Sequence, residues 1–208
     1  MSEVATDARP EVETHSDRML GWLLLVCGAV GLGAAAVLLV EKFQLLTDSG
    51  YEPSCNLSPI LNCGSVMVTA QSEVFGFPNP IIGVAAFPVL VTTGVVLLGR
   101  VQLPGYFWWG LQAGVTFGIA LVGWLALQSL YRIGALCPYC LVVWAVTIPV
   151  FWYVTAANLA RGLCGGPVAR SRLTRFLVTW SAPIVLASYL LVVVLAGIRF
   201  WDYWRTLW

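Results

Sequence analysis

The sequence is poor in charge. Only 10% of its 208 residues are Asp, Glu, Lys or Arg, and the formal net charge is +1. A nucleic-acid partner held by a basic surface is therefore excluded. Scarce charge beside 59% hydrophobic residues also excludes an ordinary soluble domain. There is one histidine, His15, in a polar N-terminal stretch. It reads as a solvated side chain, and no His-rich metal site is present, so no metal is expected. No flavin or nucleotide fingerprint occurs, nor any repeat or low-complexity tract. No signal peptide is apparent either. The first apolar run is too long for one and lacks a small-residue cleavage site.

What the chain does have is long apolar runs. Residues 1–18 read as a disordered tail. Met19–Val40 is apolar throughout and long enough to cross a bilayer, which takes about 20 residues. Gly28, Gly31, Gly33 and Ala34–Ala36 give it a small-residue face suited to close helix packing. Residues 41–80 form the longest connection, and long loops in compact chains tend to be functional. Within it, Ser65–Phe75 fits a short helix on the membrane surface. Asn79 fits an N-cap and Pro80 a first helical residue. Further spans are read at Ile81–Leu98, Tyr106–Tyr131 and Leu141–Leu159, with Trp108, Trp109 and Tyr131 placed as an aromatic belt. A basic loop, 161–175, precedes a fifth span, Phe176–Gly197, and an aromatic C-terminus that reads as an interfacial anchor. The expected class is an all-α integral membrane protein. It has a four-helix core over 19–160 and a fifth transmembrane helix within 176–208.

Orientation follows from arginine. The 161–175 loop carries Arg161, Arg170, Arg172 and Arg175 and no acid, so it is expected in the cytoplasm. Counting back through the spans puts the tail inside and the 41–80 loop outside. Residues 132–138 also fall outside. Cys55, Cys63, Cys137 and Cys140 then share the oxidising face. Cys27, within the first span, and Cys164, in the basic loop, read as inert thiols.

Cys137-Pro138-Tyr139-Cys140 stands where a span begins. A cysteine at a helix N-terminus has its thiolate favoured by the helix dipole and free N–H groups, and Pro138 suits the first turn. The motif alone fits a redox dithiol, a structural disulfide or two buried thiols. Cys55 and Cys63 alone fit a static loop disulfide. Two such pairs on one membrane face favour an electron relay by thiol–disulfide exchange. The loop pair would swing between a soluble partner and the fixed pair. A lipid-soluble quinone would be the acceptor. Cys55 follows Pro53 and Ser54, whereas Cys63 leads into Val66–Val68, so Cys55 is expected to be the more exposed sulfur.

The chain resembles bacterial members of the vitamin K epoxide reductase family. The likeness runs from about Gly21 to Leu159. It rests on Cys55 and Cys63, Asn62-Cys63-Gly64-Ser65-Val66, Phe75-Gly76-Phe77-Pro78-Asn79-Pro80 and Cys137-Pro138-Tyr139-Cys140. The resemblance implies a four-helix bundle around a quinone (menaquinone or ubiquinone), capped by the outer loop, in a bacterial cell membrane. It implies that Cys55 exchanges with a partner, Cys63 relays, Cys137 receives, and Cys140 reacts with the quinone. It implies quinone contacts from Asn79, from Thr69 where many relatives carry serine, and from Trp144. Trp144 departs from the tyrosine of the animal enzymes and would offer an indole N–H instead. The implied partner is an extracytoplasmic thioredoxin-fold, DsbA-like thiol oxidase. Many relatives carry a fused thioredoxin domain; none lies within these 208 residues, so the partner is expected to be separate. Two other readings stand beside this one. The first is a quinone-epoxide or quinone reductase using thiol electrons. The second is a non-catalytic scaffold or transporter with structural disulfides, which the absence of ionisable residues from the second, third and fourth spans disfavours.

Overall fold

The computed structural model describes residues 9–48, 50–163, 165, 171–201 and 205. Helix α1 is Arg9–Thr47. It starts inside the stretch expected to be a disordered tail, with Pro10 in the opening turn, where a missing N–H costs nothing. A short helix, α2, covers Cys63–Met67, and a 3-10 turn covers Ala70–Glu73. Helix α3 is Pro80–Leu98, α4 is Gly105–Gln128 and α5 is Pro138–Ala160. Helices α6 (Arg172–Thr179) and α7 (Ser181–Arg199) complete the described chain. Five of these helices are long and apolar enough to cross a membrane. The all-α membrane architecture holds.

Two expected elements are broken in the structure. The single surface helix over Ser65–Phe75 is two pieces, because Thr69 is extended (φ −83°, ψ 152°). Its hydroxyl donates to the Val66 carbonyl at 2.7 Å and closes the first piece. The fifth span begins at Ser181 rather than Phe176. Pro183 has no N–H for the Thr179 carbonyl and its ring crowds that oxygen, so α6 ends at Thr179. Trp108 is buried rather than in an outward belt; Trp109 and Tyr131 are exposed. Trp201 is exposed, whereas Tyr203, Trp204, Trp208 and Cys164 lie outside the described residues.

Helix α1 packs on α3 and α5, α4 packs on α5, and α7 docks on the outside of α5. Leu20, Leu24 and Ala35 of α1 meet Phe87, Leu90 and Leu97 of α3 in one core. The small-residue face works as anticipated at Gly31, where a Cβ would stand 2.3 Å from the Phe87 ring. Gly33, by contrast, faces open space. On α3, a Cβ at Gly94 would sit 2.7 Å from the Gly21 carbonyl oxygen and from the Leu25 nitrogen. Backbone cannot yield as a side chain can, so Gly94 sets the α1–α3 spacing.

The two ends of the bundle differ. At one end Arg161 pairs with Asp17, tying the end of α5 to α1, and its guanidinium lies 3.8 Å over the Trp108 ring. Asn158 donates to the Gln112 Oε1 at 2.9 Å close by. At the other end lie the 48–79 loop and the start of α5. There α4 runs into a π-turn, Ser129–Ile133, that stops at Gly134 (φ 73°). A positive φ is cheap only for glycine. From Gly134 the chain turns directly to Cys137.

Candidate functional site

The site is assembled by main-chain bonds between segments distant in sequence. The Asn62 N–H donates to the Leu136 carbonyl at 3.0 Å, and the Leu136 N–H to the Ile60 carbonyl at 2.7 Å. This parallel bridge of Leu61 with Leu136 puts Cys63 beside Cys137. Both cysteines open helices. Asn62 caps α2, its side chain accepting from the Ser65 N–H at 2.8 Å. Cys137 is the N-cap residue of α5, with Pro138 next.

The sulfur geometry is close. Cys55 and Cys63 form a disulfide with Cα atoms 5.6 Å apart. The Cys63 sulfur stands 3.0 Å from that of Cys137. Cys137 and Cys140 are free thiols, as is Cys27, half-buried in α1 away from the others. Exchange needs a thiolate aimed at a disulfide sulfur, and Cys137 is so placed. The Cys140 thiol, bonded to it, draws its pKa below the ordinary thiol value; the Cys140 and Tyr139 N–H groups act the same way. Burial and the Glu41 carboxylate oppose this without reversing it.

One expectation about this loop holds in its order but not in its extent. Cys55 is only 4% exposed and Cys63 0%, so neither sulfur is offered to solvent. Two adjacent residues at the end of α1, which sequence reading passed over, explain the closure. Glu41 accepts from the Tyr51 hydroxyl at 2.9 Å, the Ser54 N–H at 3.2 Å and the Ser54 hydroxyl at 2.5 Å. That fastens the residue before Cys55. Lys42 donates to the Met67 carbonyl at 2.7 Å and pairs with Glu73 at 2.8 Å, fastening the far side of the loop. Both side chains are buried. The only outward sign was an opposite-charge dipeptide closing an apolar run.

Beneath the loop lies a cavity of about 630 Å³ among α1, α3, α4 and α5. Its walls are apolar apart from a few groups, which include Cys137, Cys140, Lys42, Thr69, Asn79 and Trp144. All three residues expected to touch a quinone are thus on the wall with the dithiol, but their bonding differs from expectation. Asn79 precedes α3 without capping it. Its side chain turns back, donating to the Gln71 carbonyl at 2.7 Å and accepting from the Val74 N–H at 3.1 Å. It thereby holds the 3-10 turn over the cavity, with one amide hydrogen left. Thr69 has spent its proton on Val66. Trp144 is buried among Ile60, Leu130, Leu136 and Phe200. Phe200 and Arg199, which donates to the Leu130 carbonyl at 2.8 Å, bring the end of α7 against this wall.

These residues fit a quinone. A long apolar cavity suits an isoprenoid tail, and the Asn79 amide hydrogen and Trp144 indole N–H suit the ring oxygens. When bound, a quinone supplies an acceptor for two electrons and two protons.

A family model described as the vitamin K epoxide reductase family matches residues 22–155. The match takes in both cysteine pairs and the cavity and leaves α6 and α7 outside. No curated protein and no solved structure matches the chain.

Proposed function

Because the chain belongs to the vitamin K epoxide reductase family, whose members couple cysteine thiols to a quinone in the membrane, we propose that it runs as a disulfide-generating thiol:quinone oxidoreductase. The carrying observation is the 3.0 Å approach of the Cys63 and Cys137 sulfurs beside the cavity that Cys137 and Cys140 line. The partner is an extracytoplasmic thioredoxin-fold protein. Its thiolate attacks the Cys55 sulfur and Cys63 leaves. The partner's second thiolate attacks that mixed disulfide, and the partner departs oxidised, leaving two thiols on the loop. Cys63 then attacks Cys137 of a Cys137–Cys140 disulfide, and Cys140 leaves. Cys55 attacks Cys63, closing the loop disulfide and releasing Cys137. The Cys137/Cys140 pair would give two electrons and two protons to a quinone held in the cavity, and its disulfide would reclose.

The decisive assay mixes purified protein, a reduced thioredoxin-fold dithiol and a short-chain quinone. One partner disulfide should form per quinone consumed. Quinone-epoxide consumption without quinone consumption would establish the reverse chemistry. Loss of neither would leave a scaffold.

Asn79→Ala should raise the KM for quinone about fivefold, the worth of one hydrogen bond of about 1 kcal/mol. Reduction of the loop disulfide by the partner should be little changed. Equal loss in both half-reactions would reduce Asn79 to an anchor for the turn above it.

The cysteine end faces outside the cell membrane, and the basic 161–175 loop faces the cytoplasm. An impermeant maleimide applied to phosphine-reduced intact cells should label Cys55 and spare Cys164. Labelling of Cys164 in sealed cells would invert the orientation.

A further inference from the structure

The relay sulfurs are grouped more tightly than a chain of pairwise steps requires. The sulfurs of Cys55, Cys63 and Cys137 all lie within 4.8 Å of one another, and all three residues are buried. Cys140, a free thiol in the first turn of α5, is hydrogen-bonded to Cys137. The C-x2-C spacing of 137 and 140 is one that zinc sites use for two of their ligands. With metal–sulfur distances of about 2.3 Å, two ligands on one tetrahedral ion stand about 3.8 Å apart. The spacing here suits that once the loop disulfide is reduced and its sulfurs part. The grouping does not rest on that disulfide alone: the Leu61–Leu136 bridge holds Cys63 by Cys137, and the Gly64 N–H, donating to the Asn56 Oδ1 at 3.0 Å, keeps the Cys55 segment beside Cys63. Thiolates without imidazole or carboxylate select soft, thiophilic ions.

We propose that the fully reduced relay is a binding site for a thiophilic d10 cation such as zinc(II) or cadmium(II). Cys55, Cys63 and Cys137 are its ligands and Cys140 completes the shell. Each ligand thiol gives up its proton on binding, and no electron changes hands. Metal occupancy and disulfide exchange use the same sulfurs, so each excludes the other. A bound ion holds the enzyme in its reduced form. The inference rests on sulfur geometry alone and is independent of which way electrons run through the relay.

The test is an anaerobic cadmium(II) titration of the full chain in detergent, reduced with a phosphine, following thiolate-to-cadmium ultraviolet absorption. One equivalent should bind to reduced protein and none to oxidised protein. Cys63→Ser and Cys137→Ser should each abolish the signal, and Cys27→Ser should leave it unchanged. In the unaltered chain, cadmium should protect Cys55, Cys63 and Cys137 from alkylation, read by peptide mass spectrometry. That second measurement holds even if a serine variant fails to fold. Equal binding by oxidised protein, a full equivalent retained by Cys63→Ser, or protection at Cys27 or Cys164 instead would overturn the proposal. So would no binding at all.

Discussion

Replacing Cys140 with serine will stop turnover and leave the chain holding a Cys63–Cys137 disulfide. Cys137 keeps its place 3.0 Å from the Cys63 sulfur. Its thiolate can therefore attack the Cys55–Cys63 bond, forming Cys63–Cys137 and releasing Cys55 as a thiol. In the unaltered protein Cys140 also resolves this bond, attacking Cys137 and releasing Cys63; serine cannot, so only the return attack of Cys55 on Cys63 remains and the mixed disulfide accumulates. Turnover should fall by roughly a thousandfold or more, as when one member of a catalytic unit is removed. Non-reducing peptide mapping should find the 63–137 linkage, and Cys55 should become alkylatable. A map showing Cys55–Cys63 intact and Cys137 free would mean that the close approach is not a path for exchange.

Glu41→Ala should act in the opposite sense on the first half-reaction. Its carboxylate holds Tyr51 and Ser54, and with them the segment that buries Cys55. Hydrogen bonds to a charged group are worth about 1.5–3 kcal/mol. Removing them frees donors that water can satisfy once the loop lifts. Opening should become easier by about 2 kcal/mol, which is about 30-fold in population. A soluble phosphine should then reduce Cys55–Cys63 about 30-fold faster. Transfer from loop to Cys137 should slow, because the sulfurs meet less often. Gain in one step with loss in the next distinguishes a latch from general damage, which would slow both and expose Cys27 to alkylation. An unchanged phosphine rate would show that something other than Glu41 keeps Cys55 covered.

The parts of this protein that could be read from its sequence are those written in local composition. The five spans follow from uninterrupted apolar runs, and the cysteine pairs from their positions beside those runs. The break before Ser181 was also local, since Pro183 forbids the bond to Thr179, but a run of apolar residues on both sides masked it. The closed loop was not legible in the same way. Pro53 and Ser54 suggested exposure for Cys55, yet its burial depends on Glu41, which a whole loop separates from it in sequence. A charged pair at the end of a span reads as the start of solvent until the loop is seen folded over it. Asn79 shows the reverse case. Its position before Pro80 was right for a cap, but its side chain found partners in the preceding turn instead.

The bridge between Leu61 and Leu136 also bears on how such a chain can change over generations. The groups that hold the two sulfur-bearing segments in register are amide hydrogens and carbonyls, which nearly every amino acid provides. Exposed side chains such as Leu57 are therefore free to drift, though Ile60 is kept apolar by its packing on Trp144, and the outer surface can be rewritten without retuning the distance between sulfurs. Proline alone is refused, at Asn62 and Leu136, because those two positions must give a hydrogen. Diversity of clients and constancy of chemistry are thus kept by different atoms of the same residues.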